Sequence, residues 1–153
     1  MAGALQDLRV LDLSRILAGP FATQNLADLG ADVVKVEAPW GDDTRKWGPP
    51  FEVINGEQTA SYFQSCNRGK RSISIDLKSS EGISLLRQLI HNADIIVENM
   101  KVGTLTSLGL DPNELIIQHP KLIICQITGF GQTGVRANEP GYDVALQGMS
   151  GIM

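Results

Sequence analysis

Residues Leu8–Glu37 read LRVLDLSRILAGPFATQNLADLGADVVKVE, and this stretch decides the fold. Arg9–Leu13 (RVLDL) is short and apolar, as a buried strand should be. Gly19-Pro20 then opens a helix, because proline is preorganised for the first helical position. Phe21, Ala22, Leu26 and Leu29 recur at helical spacing, and Gly30 supplies a left-handed residue to end the helix. Val33–Glu37 (VVKVE) is a second strand. A strand, a helix and a strand in so short a span form a βαβ unit, so the two strands should run parallel.

The same alternation continues downstream. Ser72–Leu77 is expected as a strand, with Ile73, Ile75 and Leu77 spaced by polar residues. Ser79–Asn92 follows as an amphipathic helix with Ile83, Leu86, Leu89 and Ile90 on one face. Ile95–Glu98 is the next strand. A helical turn over Thr104–Leu108 precedes a short helix that Asp111 caps and Pro112 begins. Leu122–Ile127 (LIICQI) is a fifth strand, apolar enough to be central, and Tyr142–Met149 is expected to be helical. The pattern as a whole predicts an α/β fold, a parallel sheet with helices on both faces. Between the second and third of these strands, Ala38–Thr59 has no period. Trp40, Trp47 and Phe51 within it predict a loop packed down on the domain, since a loop of this length is otherwise functional or disordered.

Composition narrows the function. Thirteen Lys and Arg against seventeen Asp and Glu give a net charge of −4, which argues against nucleic acid as a partner. No apolar run approaches the ~18 residues of a membrane span, and the start has no basic or apolar targeting region. A cytoplasmic protein with no membrane partner is expected. Cys66 and Cys125 read as buried free thiols, and His91 and His119 as structural residues at helix ends, so no metal is expected. The last residues, GMSGIM, are apolar and uncapped, which suggests that the chain is the front of something longer.

Ligands on open parallel sheets bind beyond the carboxyl ends of the strands. The segments to weigh are Ser14–Gly19, Ala38–Trp47, Asn99–Gly103 and Thr128–Gly134. Gly129, Gly131 and Gly134 spell G-x-G-x-x-G, but a dinucleotide fingerprint should open a helix after the first strand, and here it follows the last. A loop using unusual backbone angles is the better reading. Asn67–Arg71 (NRGKR) reads as a solvated basic turn, with a phosphate contact as its functional alternative. Arg45 and Lys46 lie between Trp40 and Trp47, whose indole faces could stack on a base. Lys78 and Lys101 each stand just past a strand, well placed to meet a ligand.

Taken together, LRVLDLSRILAGPFATQNLADLGADVVKVEAP (Leu8–Pro39), GDDTRKWGPPF (Gly41–Phe51), NRGKRSISIDLKSSEG (Asn67–Gly82) and ADIIVEN (Ala93–Asn99) resemble the N-terminal half of family III coenzyme A-transferases. The likeness continues through LGLD (Leu108–Asp111), ITGFGQTG (Ile127–Gly134) and PGYDVALQGMSGIM (Pro140–Met153). GDDTRKWGPPF looks most like the branch acting on dicarboxylic acids such as glutarate. The resemblance implies a Rossmann-like large domain of which residues 1–153 are the N-terminal, CoA-binding part, and an interlocked homodimer in the full-length protein. Carried over by position, the CoA contacts are Leu17 and Ala18, Leu77 and Lys78, and Asn99, Met100 and Lys101. Tyr142 and Asp143 would support the thioester end. Ala38 stands where other members have arginine, and Val102 where many have proline.

The reaction implied moves CoA between an acyl-CoA and a carboxylic acid through an aspartyl intermediate whose aspartate falls beyond residue 153. Amides of the Gly129–Gly134 loop would stabilise the oxyanion. Two alternatives remain open at this point. Acyl-CoA racemases share the resemblance but carry histidine at the position of Tyr142, and tyrosine, with its pKa near 10, is a poor base at neutral pH. A non-catalytic CoA-binding fragment is the other.

Overall fold

A computed structural model describes residues 3–54 and 56–153. Strands β1 (Arg9–Asp12), β2 (Asp32–Glu37), β5 (Arg71–Ser74), β6 (Ile95–Glu98) and β7 (Ile123–Gln126) form a parallel sheet in the order β5-β2-β1-β6-β7. Helix α1 (Ala18–Asp28) joins β1 to β2, and α3 (Ser80–His91) joins β5 to β6. Helices α4 (Thr104–Ser107) and α5 (Pro112–Gln118) lead into β7, and α6 (Asp143–Ser150) follows it. Counting only the parallel strands, the order is 3-2-1-4-5, that of the Rossmann-type doubly wound sheet. The chain reverses direction of growth between β1 and β6, and the crevice there is where such sheets take ligands.

Alternation along the strands divides the core in two. Leu11, Leu13, Val36, Ile75 and Ile96 point to one face, where Leu86 and Ile90 of α3, Leu105 of α4 and Leu115 of α5 meet them. Val10, Val33 and Val97 point to the other, against Leu26 and Ala27 of α1. Each buried aliphatic side chain of this kind is worth about 1.5–3 kcal/mol. The helices are specified locally as expected: Ser79 caps α3 through the Gly82 amide, and Asp111 caps α5 through Asn113 and Glu114.

Three expectations need correction. The apolar fifth strand is not central but lies at the edge of the described sheet, with Ile123 60% exposed. Only its Leu122 and Ile124 side meets the α3–α5 core, so apolar content alone misjudged its place. Ala38–Thr59 is not featureless. It holds a 3₁₀ turn (Asp43–Lys46) and the antiparallel hairpin β3 (Phe51–Ile54) and β4 (Glu57–Ala60), and leads into α2 (Ser61–Ser65); Asn55 lies outside the described residues. Nor is it the aromatic side chains that pin this segment, since Trp40 and Trp47 are half exposed while the polar Asp42 and Thr44 are buried. Finally, Cys66 is buried but Cys125, on the edge strand, is exposed.

Candidate functional site

The carboxyl end of β1 runs into Leu13–Leu17, and charged side chains gather beneath this turn. Because β-strand side chains alternate, Asp12, Lys35 and Glu37 all leave the sheet on the α1 face, and all three are buried. Asp12 accepts hydrogen bonds from Thr23 Oγ1 at 2.6 Å, Ser14 N at 3.0 Å and the Ser14 hydroxyl, and pairs with Lys70 Nζ at 3.0 Å. Lys70 is therefore not part of a solvated turn. Its ammonium also donates to the Pro20 carbonyl and Asn67 Oδ1, each at 2.8 Å. Burial pulls its pKa down against the opposing pull of Asp12. Arg68 and Arg71 do behave as surface residues, paired with Asp28 and Asp32.

Lys35 forms the second buried pair, 3.1 Å from Asp42 Oδ2. Burial alone would raise the Asp42 carboxyl, but the amide and hydroxyl of Thr44 and then Lys35 outweigh it and hold the pKa low. Glu37 forms the third. Burial again opposes, yet the guanidinium of Arg45 at 2.6 and 2.7 Å, Ser72 Oγ and the Asp42 amide bring Glu37 down to about 2. Arg45 lies over the Phe63 ring, 3.8 Å from its centroid, so it is fixed in the loop rather than free for a ligand.

A depressed carboxylate contributes stability above its unfolded pKa and loses it as pH falls towards its folded pKa. For Glu37 that window runs from about 4.5 down to about 2, and the contribution is up to about 3 kcal/mol. Thermal melts between about pH 5 and pH 2 should therefore lose stability steeply, and Glu37→Gln should flatten that loss. An unchanged acid limb in the variant would assign the effect elsewhere.

The residues expected to meet a ligand fall into groups. Leu17 is the N-cap of α1, with no side-chain cap, and both it and Ala18 are exposed. Asn99, just past β6, bonds to the turn after β1: its Oδ1 accepts from Arg15 N at 2.8 Å and its Nδ2 donates to Arg15 O at 2.7 Å. The structure thus joins the Leu17 and Asn99 segments across the switch point. Met100 N donates to buried Glu98 at 2.6 Å, and Met100 and Leu77 both pack on the α3–α5 core. Lys78 and Lys101 are exposed after β5 and β6, and Lys78 Nζ stands 5.7 Å from the Trp40 ring.

Tyr142 and Asp143 begin α6, more loosely placed. Tyr142 is 72% exposed, and Asp143 Oδ2 accepts from Gln147 at 2.6 Å. What ties this segment down is backbone contact: a Cβ on Gly129 would lie 2.4 Å from Gly141 Cα, and the reverse is equally close. Gly129 therefore serves chain packing, Gly131 and Gly134 take left-handed backbone angles with open space around them, and turns follow in place of the helix that a dinucleotide fingerprint would open. Asp143 is also near enough to α2 to add, after burial and Cys66 and Asp42, to the raised pKa of the Tyr62 hydroxyl.

A groove of about 280 Å³ opens at the other end of the sheet, lined by Arg9, Asp32, Val34, Arg71 and Leu89 among others. It faces the amino ends of the strands, and its Arg71 and Asp32 already satisfy each other at 2.7 Å. The carboxyl-end turns are the better candidate. Sequence reasoning named neither Asp12, Lys35, Asp42 nor Glu37; a charged residue between valines in VVKVE was the available signal. No helix among the described residues is long and apolar enough to cross a membrane.

Known proteins resemble the chain throughout. The model of CoA-transferase family III matches residues 5–153. A succinate–glutarate CoA-transferase of Agrobacterium fabrum is 56% identical over 152 residues, covering 97% of this chain and 38% of that protein. The human succinyl-CoA:glutarate CoA-transferase is 46% identical over 150 residues, covering 97% of this chain and 33% of its own length. The crystal structure of a CAIB/BAIF family protein from Brucella suis superposes with a TM-score of 0.96 at 54% identity, over 100% of this chain and 40% of that one. The chain therefore spans between a third and two-fifths of the length of these relatives.

Proposed function

Because the chain belongs to CoA-transferase family III, we propose that residues 1–153 are the N-terminal part of the CoA-binding large domain of an enzyme that moves CoA between an acyl-CoA and a carboxylic acid. The observation that carries this reading is the junction at the switch point, where Asn99 holds the turn leading to Leu17 and the uncapped start of α1. Dicarboxylates are the proposed substrate class, from the succinate and glutarate named for the relatives. No metal enters the proposed chemistry, and the assembly proposed is a homodimer of the full-length protein in the cytoplasm.

The roles follow from chemistry. The open amides at the start of α1 suit a phosphate or carbonyl oxygen. Lys78 and Lys101 offer exposed ammonium groups to the phosphates of CoA. Trp40, half exposed and beside Lys78, offers an indole face to the adenine. An aspartate from outside residues 1–153 would attack the donor thioester to give a mixed anhydride and CoA thiolate. The thiolate would then attack the enzyme's acyl carbon, releasing the donor acid and leaving an aspartyl thioester. The acceptor acid would collect CoA by the reverse steps. Splitting the transfer in this way replaces one difficult step with easier ones, and retaining CoA avoids a second bimolecular encounter. Tyr142 and Asp143 would support the thioester end.

The test is CoA affinity by isothermal titration, with KM for succinyl-CoA, in the full-length protein. Lys78→Ala and Lys101→Ala should each weaken binding by about 1–3 kcal/mol, the range for a charge-assisted contact. Arg68→Ala is the control, since Arg68 is occupied by Asp28 at the surface. Unchanged affinity in both lysine variants would remove them from the site, and a loss at Arg68 alone would move the phosphates to the NRGKR turn.

A further inference from the structure

The turn between β1 and α1 has an unusual support. Among the described residues, both backbone polar groups of Ser14, Arg15 and Ile16 bond to side chains. Ser14 N donates to Asp12 Oδ1 and Ser14 O accepts from Lys35 Nζ at 2.8 Å. Arg15 uses both amide atoms on Asn99. Ile16 N donates to Asp42 Oδ2 at 3.3 Å, and Ile16 O accepts from Cys66 Sγ at 3.5 Å. That last carbonyl lies one residue before the N-cap Leu17, whose own carbonyl accepts the first helical amide from Phe21, so Ile16 O takes its partner from outside the helix. Burial raises the Cys66 pKa, which keeps the thiol protonated and able to donate.

At the centre of this support stands Ile16, with φ at +69°, a left-handed conformation that is costly for a β-branched residue. A backbone in that state persists only where its surroundings over-determine it. The surroundings here are Lys35 and Asp42, both buried and paired to each other, one holding the residue two before and the other holding Ile16 itself. We infer that Lys35 and Asp42 are positioning residues that hold Ile16 left-handed and so fix Leu17 and Ala18 for CoA, an inference resting on the CoA reading above. Neither touches the ligand. They act through the turn, and a change at either would move the start of α1 relative to Asn99.

The inference separates from a plain stability role through the strain itself. Glycine adopts φ near +70° freely, so Ile16→Gly removes the need for the hold. Asp42→Leu alone leaves Lys35 buried and unpaired and could prevent folding, so it is combined with Lys35→Met, which removes both charges together. In the full-length protein, CoA titration should show Lys35→Met/Asp42→Leu binding about tenfold more weakly, and the added Ile16→Gly recovering most of that loss. Thermal melts establish that each variant is folded. Should the double variant fail to fold, Cys66→Ala, which removes the donor to Ile16 O along with longer contacts to the Tyr62 and Phe63 carbonyls and an acceptor for Asn67, takes its place with an expected loss of about threefold and the same recovery. Undiminished affinity in the folded variant, or a loss that Ile16→Gly does not recover, would overturn the inference while leaving the CoA reading intact. No CoA binding by the unaltered protein would instead overturn both.

Discussion

Asp12→Ala is expected to destabilise the protein by about 3–5 kcal/mol, because it strands the Lys70 ammonium in the interior. The side chains of the pair are 0% and 2% exposed, so water cannot take over the lost partner. Thr23 Oγ1, Ser14 N and the Ser14 hydroxyl lose their acceptor in the same substitution. A domain is stable by about 5–15 kcal/mol in total, so the loss should appear as a large drop in melting temperature or as failure to accumulate folded protein. Replacing both partners, Asp12→Leu with Lys70→Met, should recover much of the stability, since neither charge is then left unpaired. A melt for Asp12→Ala close to that of the unaltered protein would mean that water or a rearranged Lys70 compensates, and that the pair is not a structural element.

The second large effect concerns catalysis. Residues 1–153 alone are expected to transfer no CoA from succinyl-CoA to glutarate above background, whereas an enzyme typically exceeds background by about 10⁶-fold or more. Asp143 is the carboxylate that could be mistaken for the nucleophile. It lies in the first turn of α6, where the helix amino terminus stabilises negative charge, and Gln147 Nε2 already donates to it. In the full-length protein, Asp143→Asn should lower turnover without abolishing it, in keeping with a supporting role. Measurable transfer by the 153-residue chain, lost in Asp143→Asn, would place the nucleophile here instead.

Much of the fold is legible in the sequence, and for specific reasons. The βαβ unit is encoded locally by the apolar runs RVLDL and VVKVE, Pro20 at the start of the helix and Gly30 just beyond it. The caps Ser79 and Asp111 are likewise local. Whether LIICQI is central or at an edge depends on what else covers the strand, and its own residues do not carry that information. The hairpin Phe51–Ala60 escapes notice because its strands are short and it lies apart from the main sheet.

The site divides in the same way. The strand-end segments can be placed from the position of the strands alone, and Asn99 proves to be the residue that ties two of them together. The buried ion pairs could not be anticipated so easily. Lys70 looks like part of a basic surface turn, and only the tertiary fold brings it to Asp12, fifty-eight residues away in sequence. Lys35 gave a clearer signal, since a lysine among inward valines must find an anion or leave the strand. Its partner Asp42 comes from the loop that also carries Trp40 and Trp47.

The most direct measurement is a crystal structure of the full-length protein with CoA bound. CoA should lie along the carboxyl ends of the strands, with its nucleotide or pyrophosphate against Leu17–Ala18, Leu77–Lys78 and Asn99–Lys101. CoA bound at the opposite end of the sheet, in the groove lined by Arg9, Asp32 and Arg71, would contradict the assignment of the site.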